Sequence, residues 1–205
     1  MNPITGCMIV RNERPVILRR LNGLRKHCKE LAVIDQCSTD GTWEIVRDNA
    51  DFAFQLPALG IADPYKNLLY GVGSCEWVLS MDADEEVSPA LGAVLPKLIE
   101  SEEEVFWLER VDMVNGVRIP ILGKDWQPRL FKRGKIRYSG QAHTHPEIGT
   151  PRAVLFPDAP IVHQRTFDDV VRRNRARDNL GPEIVGKQAA YIRQVEGFLR
   201  EAGRL

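Results

Sequence analysis

An apolar segment of strand length, Trp77-Val78-Leu79-Ser80-Met81, runs straight into Asp82-Ala83-Asp84-Glu85-Glu86. Four carboxylates within five residues cannot enter a core without partners, so they mark where a buried strand leaves it. In an α/β sheet the carboxyl ends of the strands form the ligand crevice. Two Asp separated by one residue at such an end offer hard oxygens to a divalent cation, which in turn holds phosphates. Alone, Asp-x-Asp reads more readily as a solvated turn between strand and helix. The rest of the chain has to decide between the two.

Two upstream segments repeat the pattern: Cys7 to Val10 ends in Arg11-Asn12-Glu13, and Leu31 to Ile34 ends in Asp35-Gln36-Cys37-Ser38-Thr39-Asp40-Gly41-Thr42. Between strands expected at 5–11 and 31–35, residues 15–28 place Ile17, Leu21, Leu24 and Cys28 on one helical face, with Pro15 in the first turn. The turn at 38–42 offers N-cap side chains to a helix carrying Trp43, Ile45 and Val46. A short strand at 52–56 follows, then Asp63-Pro64 as cap and first residue of a helix packing Tyr65, Leu68, Leu69 and Val72. Ser88-Pro89 repeats that cap before the stripe Leu91, Val94, Leu95, Leu98 and Ile99, which ends in the acidic run 100–104. Strand and helix alternate, so a mostly parallel sheet with helices on both faces is expected.

The alternation stops there. Segments 105–114 and 117–122 flank Asn115-Gly116, a strong hairpin signal, and 129–131 and 135–138 flank Arg133-Gly134, so the second half opens with antiparallel strands. Strand-like 153–156 and 161–163 lead to a basic helix at 167–180, stopped by Gly181-Pro182, and a last helix at 183–201.

At 205 residues the chain suits one domain, 1–205, expected to comprise a half at 1–114, a second at 115–165 and C-terminal helices at 166–205. No apolar run approaches the ~20 residues of a membrane span, and Arg11, Glu13 and Arg14 interrupt the first apolar run too early for a signal peptide. A cytoplasmic protein is expected. Cys7, Cys28, Cys37 and Cys75 show no Cys-x-x-Cys spacing and read as core residues. Net charge is zero but unevenly laid out: residues 1–117 carry −8 and residues 118–177 carry +8. The second stretch therefore faces something anionic, whether phosphate, a membrane surface or the acidic first half. In the basic helix Arg172, Arg173, Arg175 and Arg177 spread over more than one face, so it is neither a clean amphipathic membrane helix nor an ordinary core helix; a solvated surface helix and one that contacts phosphate or an anionic lipid both stay open.

Four blocks in order, Cys7 to Glu13, Val33 to Thr42, Trp77 to Glu85, and Arg129-Leu130-Phe131 with Gly140 and His143, make the chain resemble the family 2 glycosyltransferases of GT-A fold. It is similar in particular to short bacterial members that add sugars to lipopolysaccharide core and related glycans. The resemblance implies a nucleotide-sugar donor, usually UDP-linked, a divalent metal (Mn²⁺ or Mg²⁺), inversion at the anomeric carbon, and a glycan or lipid-linked acceptor. No nucleic-acid partner or transmembrane segment is implied; peripheral membrane contact is compatible with it, and oligomeric state is left open. By resemblance Ile9, Val10, Arg11, Asn12 and Glu13 line the nucleoside, with Ser38 and Asp40 beside it, and Asp35 accepts from the base edge. Asp82 and Ala83 meet the ribose, Asp82 and Asp84 the metal, and Lys66 and Asn67 the phosphates. A late histidine, His163, is a further metal ligand by the same resemblance, or a structural residue.

The pattern departs from the family where Gly-x-x-His-Glu is usual, because Thr144 stands in place of the Glu. Glu147, His143, His145 and Asp125 are the general-base candidates, with Glu147 first because inverting displacement generally uses a carboxylate. Two other readings are a nucleotide-sugar-binding protein without turnover and a nucleotidyltransferase. The latter normally carries a Gly-rich first loop, and residues 10–15 contain no Gly.

Overall fold

The structure is a computed structural model describing residues 2–59, 63–120, 124–139, 145–175 and 182–205, without the side chains of 63, 173–175 and 182–188. The expected positions Gly140, His143, Thr144 and Arg177, and the end of the strand expected to reach 122, lie outside the described residues. The elements are β1 (Ile4–Val10), α1 (Ile17–Arg25), β2 (Glu30–Asp35), α2 (Thr42–Asn49), β3 (Phe52–Gln55), α3 (Asp63–Gly71), β4 (Trp77–Asp82), β5 (Glu85–Val87) and α4 (Pro89–Leu98). They continue with β6 (Val105–Val114), β7 (Val117–Ile119), β8 (Asp125–Lys132), β9 (Ile136–Arg137), β10 (Glu147–Ile148), β11 (Ala153–Arg165), α5 (Phe167–Arg175) and α6 (Pro182–Glu201).

Among the described residues the main sheet runs β3-β2-β1-β4-β8-β6-β11-β5, with β7 beside β6, and β9 and β10 form a separate pair. β1, β2, β3 and β4 are parallel to one another, and β8 joins β4 antiparallel. The order 3-2-1-4 follows from helical crossovers, which return each strand parallel to the last.

The chain divides into two compact units, Met1–Glu109 with Trp126–Ile161, and Arg110–Asp125 with Val162–Leu205. In the first, side-chain alternation along the strands builds two cores. Ile4, Met8, Val10, Leu31, Val33, Trp77, Leu79 and Met81 pack with α1 and α4 on one face. Cys7, Ala32, Ile34 and Val78 pack with Leu69 and Tyr70 of α3 on the other. α1 lies so close to the sheet that a Cβ on Gly6 would come within 2.8 Å of Leu24 and Leu31. The second unit has its own small core of Val114, Ile119, Val170, Val195 and Leu199.

Several local details differ from the sequence expectations. Helix α1 begins at Ile17, after a turn in which the Val16 and Ile17 N–H groups donate to Glu13 O, rather than at Pro15. The N-cap of α2 is Gly41, at φ 92°, without a side-chain cap bond; Asp40 receives the Thr42 N–H instead. Ser88 caps α4 as expected, its hydroxyl accepting from Leu91 N at 3.0 Å. The two strands expected at 153–156 and 161–163 are one continuous strand, β11, and the short strands β5 and β10 had no sequence signal. The hairpin turn at Asn115-Gly116 has both residues at positive φ, 48° and 79°, as a two-residue hairpin turn requires.

Candidate functional site

The parallel register aligns the carboxyl ends of the first unit's strands: Val10 pairs with Asp35, and Ile9 with Asp82. Three strand ends thus open at one edge, as a sheet of this winding dictates. A small cavity of about 10 Å³ there is lined by Ile9, Lys66, Tyr70, Ser80 and Asp82, together with Cys7, Met8, Leu69 and Met81.

The loops after β1 and β2 are tied together. Asn12, at φ 55°, donates its N–H to Ser38 Oγ at 2.8 Å and accepts from Thr39 N at 2.9 Å through its side chain. The Glu13 N–H reaches Thr42 Oγ1 at 2.8 Å, and that of Arg14 reaches Asp40 Oδ2 at 3.1 Å. Burial works against ionisation of Asp40, but the Thr42 hydroxyl and the Arg14 and Thr42 N–H groups outweigh it and hold the carboxyl below its usual range. Asp35 is fully buried: Oδ2 accepts from Ser38 N at 2.9 Å and Gln55 Nε2 at 3.2 Å, and Oδ1 from Ser38 Oγ at 2.5 Å. Its carboxylate therefore fastens the β2 exit from inside, and it is absent from the lining of the cavity beside Asp82. Arg11 is exposed on the first loop.

Asp82 ends β4 and keeps 42% of its side chain exposed. Burial pushes its carboxyl up, but Arg129, and Lys66 beyond it, more than reverse that, and Asp82 titrates below its usual value. Asp84 is half-buried two residues on. The turn between them is held from α1, where Arg20 donates Nε to Ala83 O at 3.1 Å and pairs with Glu86. Lys66 on α3 lies over the Tyr138 ring, 4.3 Å from its centroid. Asn67 clamps the Tyr138 backbone in both directions, donating to its carbonyl at 2.7 Å and accepting from its N–H at 2.9 Å.

Glu147, on β10 opposite Arg137, lines a pocket of about 530 Å³ with Pro64, Asn67, Arg137, Tyr138 and Ser139. Its carboxylate has no hydrogen bond or ion pair among the described residues. His145 is exposed, its ring 6.5 Å from that of Trp107.

The remaining two candidates belong to the second unit. Asp125 Oδ2 receives Arg110 through Nε at 2.8 Å and Nη2 at 2.6 Å. His163 is buried, with Nδ1 2.6 Å from Asp112, whose carboxylate also receives Arg165 at 2.6 Å and the Tyr191 hydroxyl at 3.0 Å. A carboxylate on one ring nitrogen fixes the tautomer of metal-binding histidines, and equally of structural ones. Among the described residues no three His, Cys, Asp or Glu side chains cluster as a ready-made metal cage. Two Asp oxygens completed by substrate phosphates are the usual way of holding Mg²⁺, so the donor set at 82 and 84 fits a hard divalent ion.

Arg129 stands in the Arg-Leu-Phe block of the sequence, which names no partner for it, and Arg20 carries no sequence signal. Nothing local marks either: Arg129 meets Asp82 only because β8 pairs with β4, Leu79 opposite Leu130.

Comparison with known proteins places the chain further. The profile of "Glycosyl transferase family 2" matches residues 7–157. The lipopolysaccharide core biosynthesis glycosyltransferase LpsC of Rhizobium meliloti is 26% identical over 161 residues, covering 71% of this chain and 57% of LpsC. An uncharacterized glycosyltransferase of Rickettsia felis is 28% identical over 134 residues, 64% of this chain and 44% of the relative. The chain thus spans about half the length of these curated relatives. Among solved structures, residues 1-349 of S. aureus TarS in complex with UDP-GlcNAc superpose with a TM-score of 0.58 at 18% identity, covering 78% of this chain and 58% of that fragment. Mannosyltransferase PcManGT from Pyrobaculum calidifontis, in complex with GDP-Man and Mn²⁺, gives 0.56 at 17%, covering 98% and 75%. At these identities the likeness is one of fold, the GT-A glycosyltransferase fold.

Proposed function

Because the chain belongs to glycosyl transferase family 2, we propose that it transfers a sugar, with inversion, from a UDP-sugar to a hydroxyl of a glycan or lipid-linked acceptor, in the cytoplasm. The observation that carries the reading is the Asp82-Ala83-Asp84 turn, at the sheet edge where β1, β2 and β4 end side by side. The lipopolysaccharide core biosynthesis role of LpsC supports a cell-surface glycan as the acceptor.

In this reading the linked loops at 11–14 and 38–42 receive the nucleoside, with Asp35 at the base edge. Asp82 and Asp84 hold the divalent cation, and Lys66 faces the diphosphate from α3. When bound, the cation neutralises charge on the departing diphosphate. Glu147 takes the proton from the acceptor hydroxyl as its oxygen bonds to the anomeric carbon, and UDP leaves with the electron pair of the broken bond. The uncommitted Glu147 carboxylate in its pocket supports that role, whereas Asp125 is already paired with Arg110.

Calorimetry of UDP with and without Mn²⁺, on wild type and Asp84→Ala, tests the reading. Mn²⁺ is expected to tighten UDP binding in the wild type and to have no effect in the variant. Equal wild-type affinity in both conditions refutes the metal-dependent donor site. Release of free sugar from UDP-sugars then separates an enzyme from a binding protein without turnover.

A further inference from the structure

Beneath the carboxylate turn lies a buried ion pair that the proposed chemistry does not use directly. Arg129 is 2% exposed, and its Nη2 donates to Asp82 Oδ2 at 2.5 Å and to Glu85 Oε1 at 2.6 Å. The Glu85 side chain is fully buried, and its other oxygen accepts the backbone N–H of Asp82 at 3.0 Å. Arg129 and Glu85 therefore hold Asp82 twice, by side chain and by main chain. The Nε of Arg129 is buried without a hydrogen-bond partner among the described residues.

As a contribution to stability this arrangement is poor. Removing two charges from water costs most of what their attraction returns, a well-packed apolar pair does as well or better, and an orphaned buried donor adds a further penalty. An apolar pair cannot do one thing that this one does, which is to grip one oxygen of a carboxylate whose side chain is 42% exposed and leave the other outside the ion pair. An aspartate at the end of a strand, facing solvent, otherwise samples several rotamers, and a ligand must then pay to order it. A guanidinium nitrogen fixed by packing and by a counter-ion removes that cost before the ligand arrives.

We propose that Arg129, with Glu85 as its counter-ion, is a positioning residue that fixes the Asp82 carboxylate for the cation and diphosphate of the sugar donor. The inference rests on the donor reading above. Arg129 touches neither sugar nor nucleotide in it and acts only through Asp82.

The test compares wild type, Arg129→Met, Glu85→Gln and the double variant Arg129→Met/Glu85→Gln, in urea unfolding and in UDP calorimetry with and without Mn²⁺. Arg129→Met strands the buried Glu85 carboxylate, and Glu85→Gln leaves Arg129 with Asp82 alone as counter-ion, so both are expected to unfold at lower urea, the first more so. The double variant strands none and is expected to recover most of the midpoint. Its UDP affinity in Mn²⁺ nonetheless stays at least 10-fold below wild type, while its metal-free affinity is unchanged. A double variant whose Mn²⁺-supported affinity returns along with its stability overturns the inference, since the pair is then structural only. Arg129→Lys provides a second route should the double variant not fold. It keeps the charge but on a shorter side chain whose ammonium cannot sit where Nη2 bridges Asp82 and Glu85, and is expected to lose several-fold of the Mn²⁺-dependent tightening; full tightening in Arg129→Lys counts against the proposal. A wild type indifferent to Mn²⁺ overturns the donor reading and this inference together, whereas a responsive wild type matched by the double variant overturns this inference alone.

Discussion

Glu30→Gln tests how this fold carries a buried carboxylate. Glu30 opens β2 at 8% exposure and accepts from the Thr5 hydroxyl at 2.6 Å, Ser74 N at 2.5 Å, the Ser74 hydroxyl at 2.9 Å and Cys75 N at 3.1 Å. Burial alone drives its pKa up, but these donors overcome it and hold the group at about 2, against 4.5 for a free Glu. A difference of that size corresponds to about 3 kcal/mol of stability at neutral pH, a large part of what a domain of this size has. Since the folded pKa is the lower one, this stability is complete above about pH 5 and is lost as the pH falls from 4.5 towards 2. In Glu30→Gln the charge is gone and the amide NH₂ faces donors, so the variant is expected to be about 3 kcal/mol less stable at pH 7. Urea unfolding followed by Trp fluorescence at pH 7, 5, 4 and 3 should show the two proteins converging as the pH drops. An offset that stays constant from pH 7 to pH 3 refutes the charge argument and leaves only lost geometry. No offset at pH 7 refutes both.

Three further outcomes are expected. Gly73, at φ 96°, lies so close to this carboxylate that a Cβ would come within 2.4 Å of Glu30 Oε1, so Gly73→Ala should lower the melting temperature by several degrees, and an unchanged melting curve contradicts the packing described. Glu147→Gln should reduce kcat by about 10²-fold or more with little change in donor KM, the signature of a lost general base; a normal kcat moves that role to another group. Asp35→Ala should weaken UDP binding by about 1.5–3 kcal/mol and also cost stability, because Ser38 and Gln55 lose their acceptor; unchanged UDP affinity with reduced stability assigns Asp35 to the fold alone.

The amino-acid order alone determined the parallel half of the sheet. Alternating cores at Ile4, Met8, Leu31, Val33, Trp77 and Leu79 need only the period of two along a strand, and the βα alternation needs only local helix signals such as Ser88-Pro89. It also placed Asp35 and Asp82 at one edge, because parallel strands joined by helical crossovers necessarily end together. Contacts set by pairing between distant segments were not legible. The hold of Arg133 on the end of α3 and the chain after it, where it donates to the carbonyls of Tyr70, of Val72 at 2.5 Å and of Cys75 at 2.9 Å, arises where the β8–β9 turn meets a segment some sixty residues earlier in the chain. The grip of Arg129 on Asp82 and Glu85 has the same origin, as do β5 and β10, strands of three and two residues too short to show a period. Periodicity reports how a segment meets a core. Which charge neutralises which carboxylate depends on the antiparallel register of β8 against β4, and that register is decided only when the whole sheet assembles.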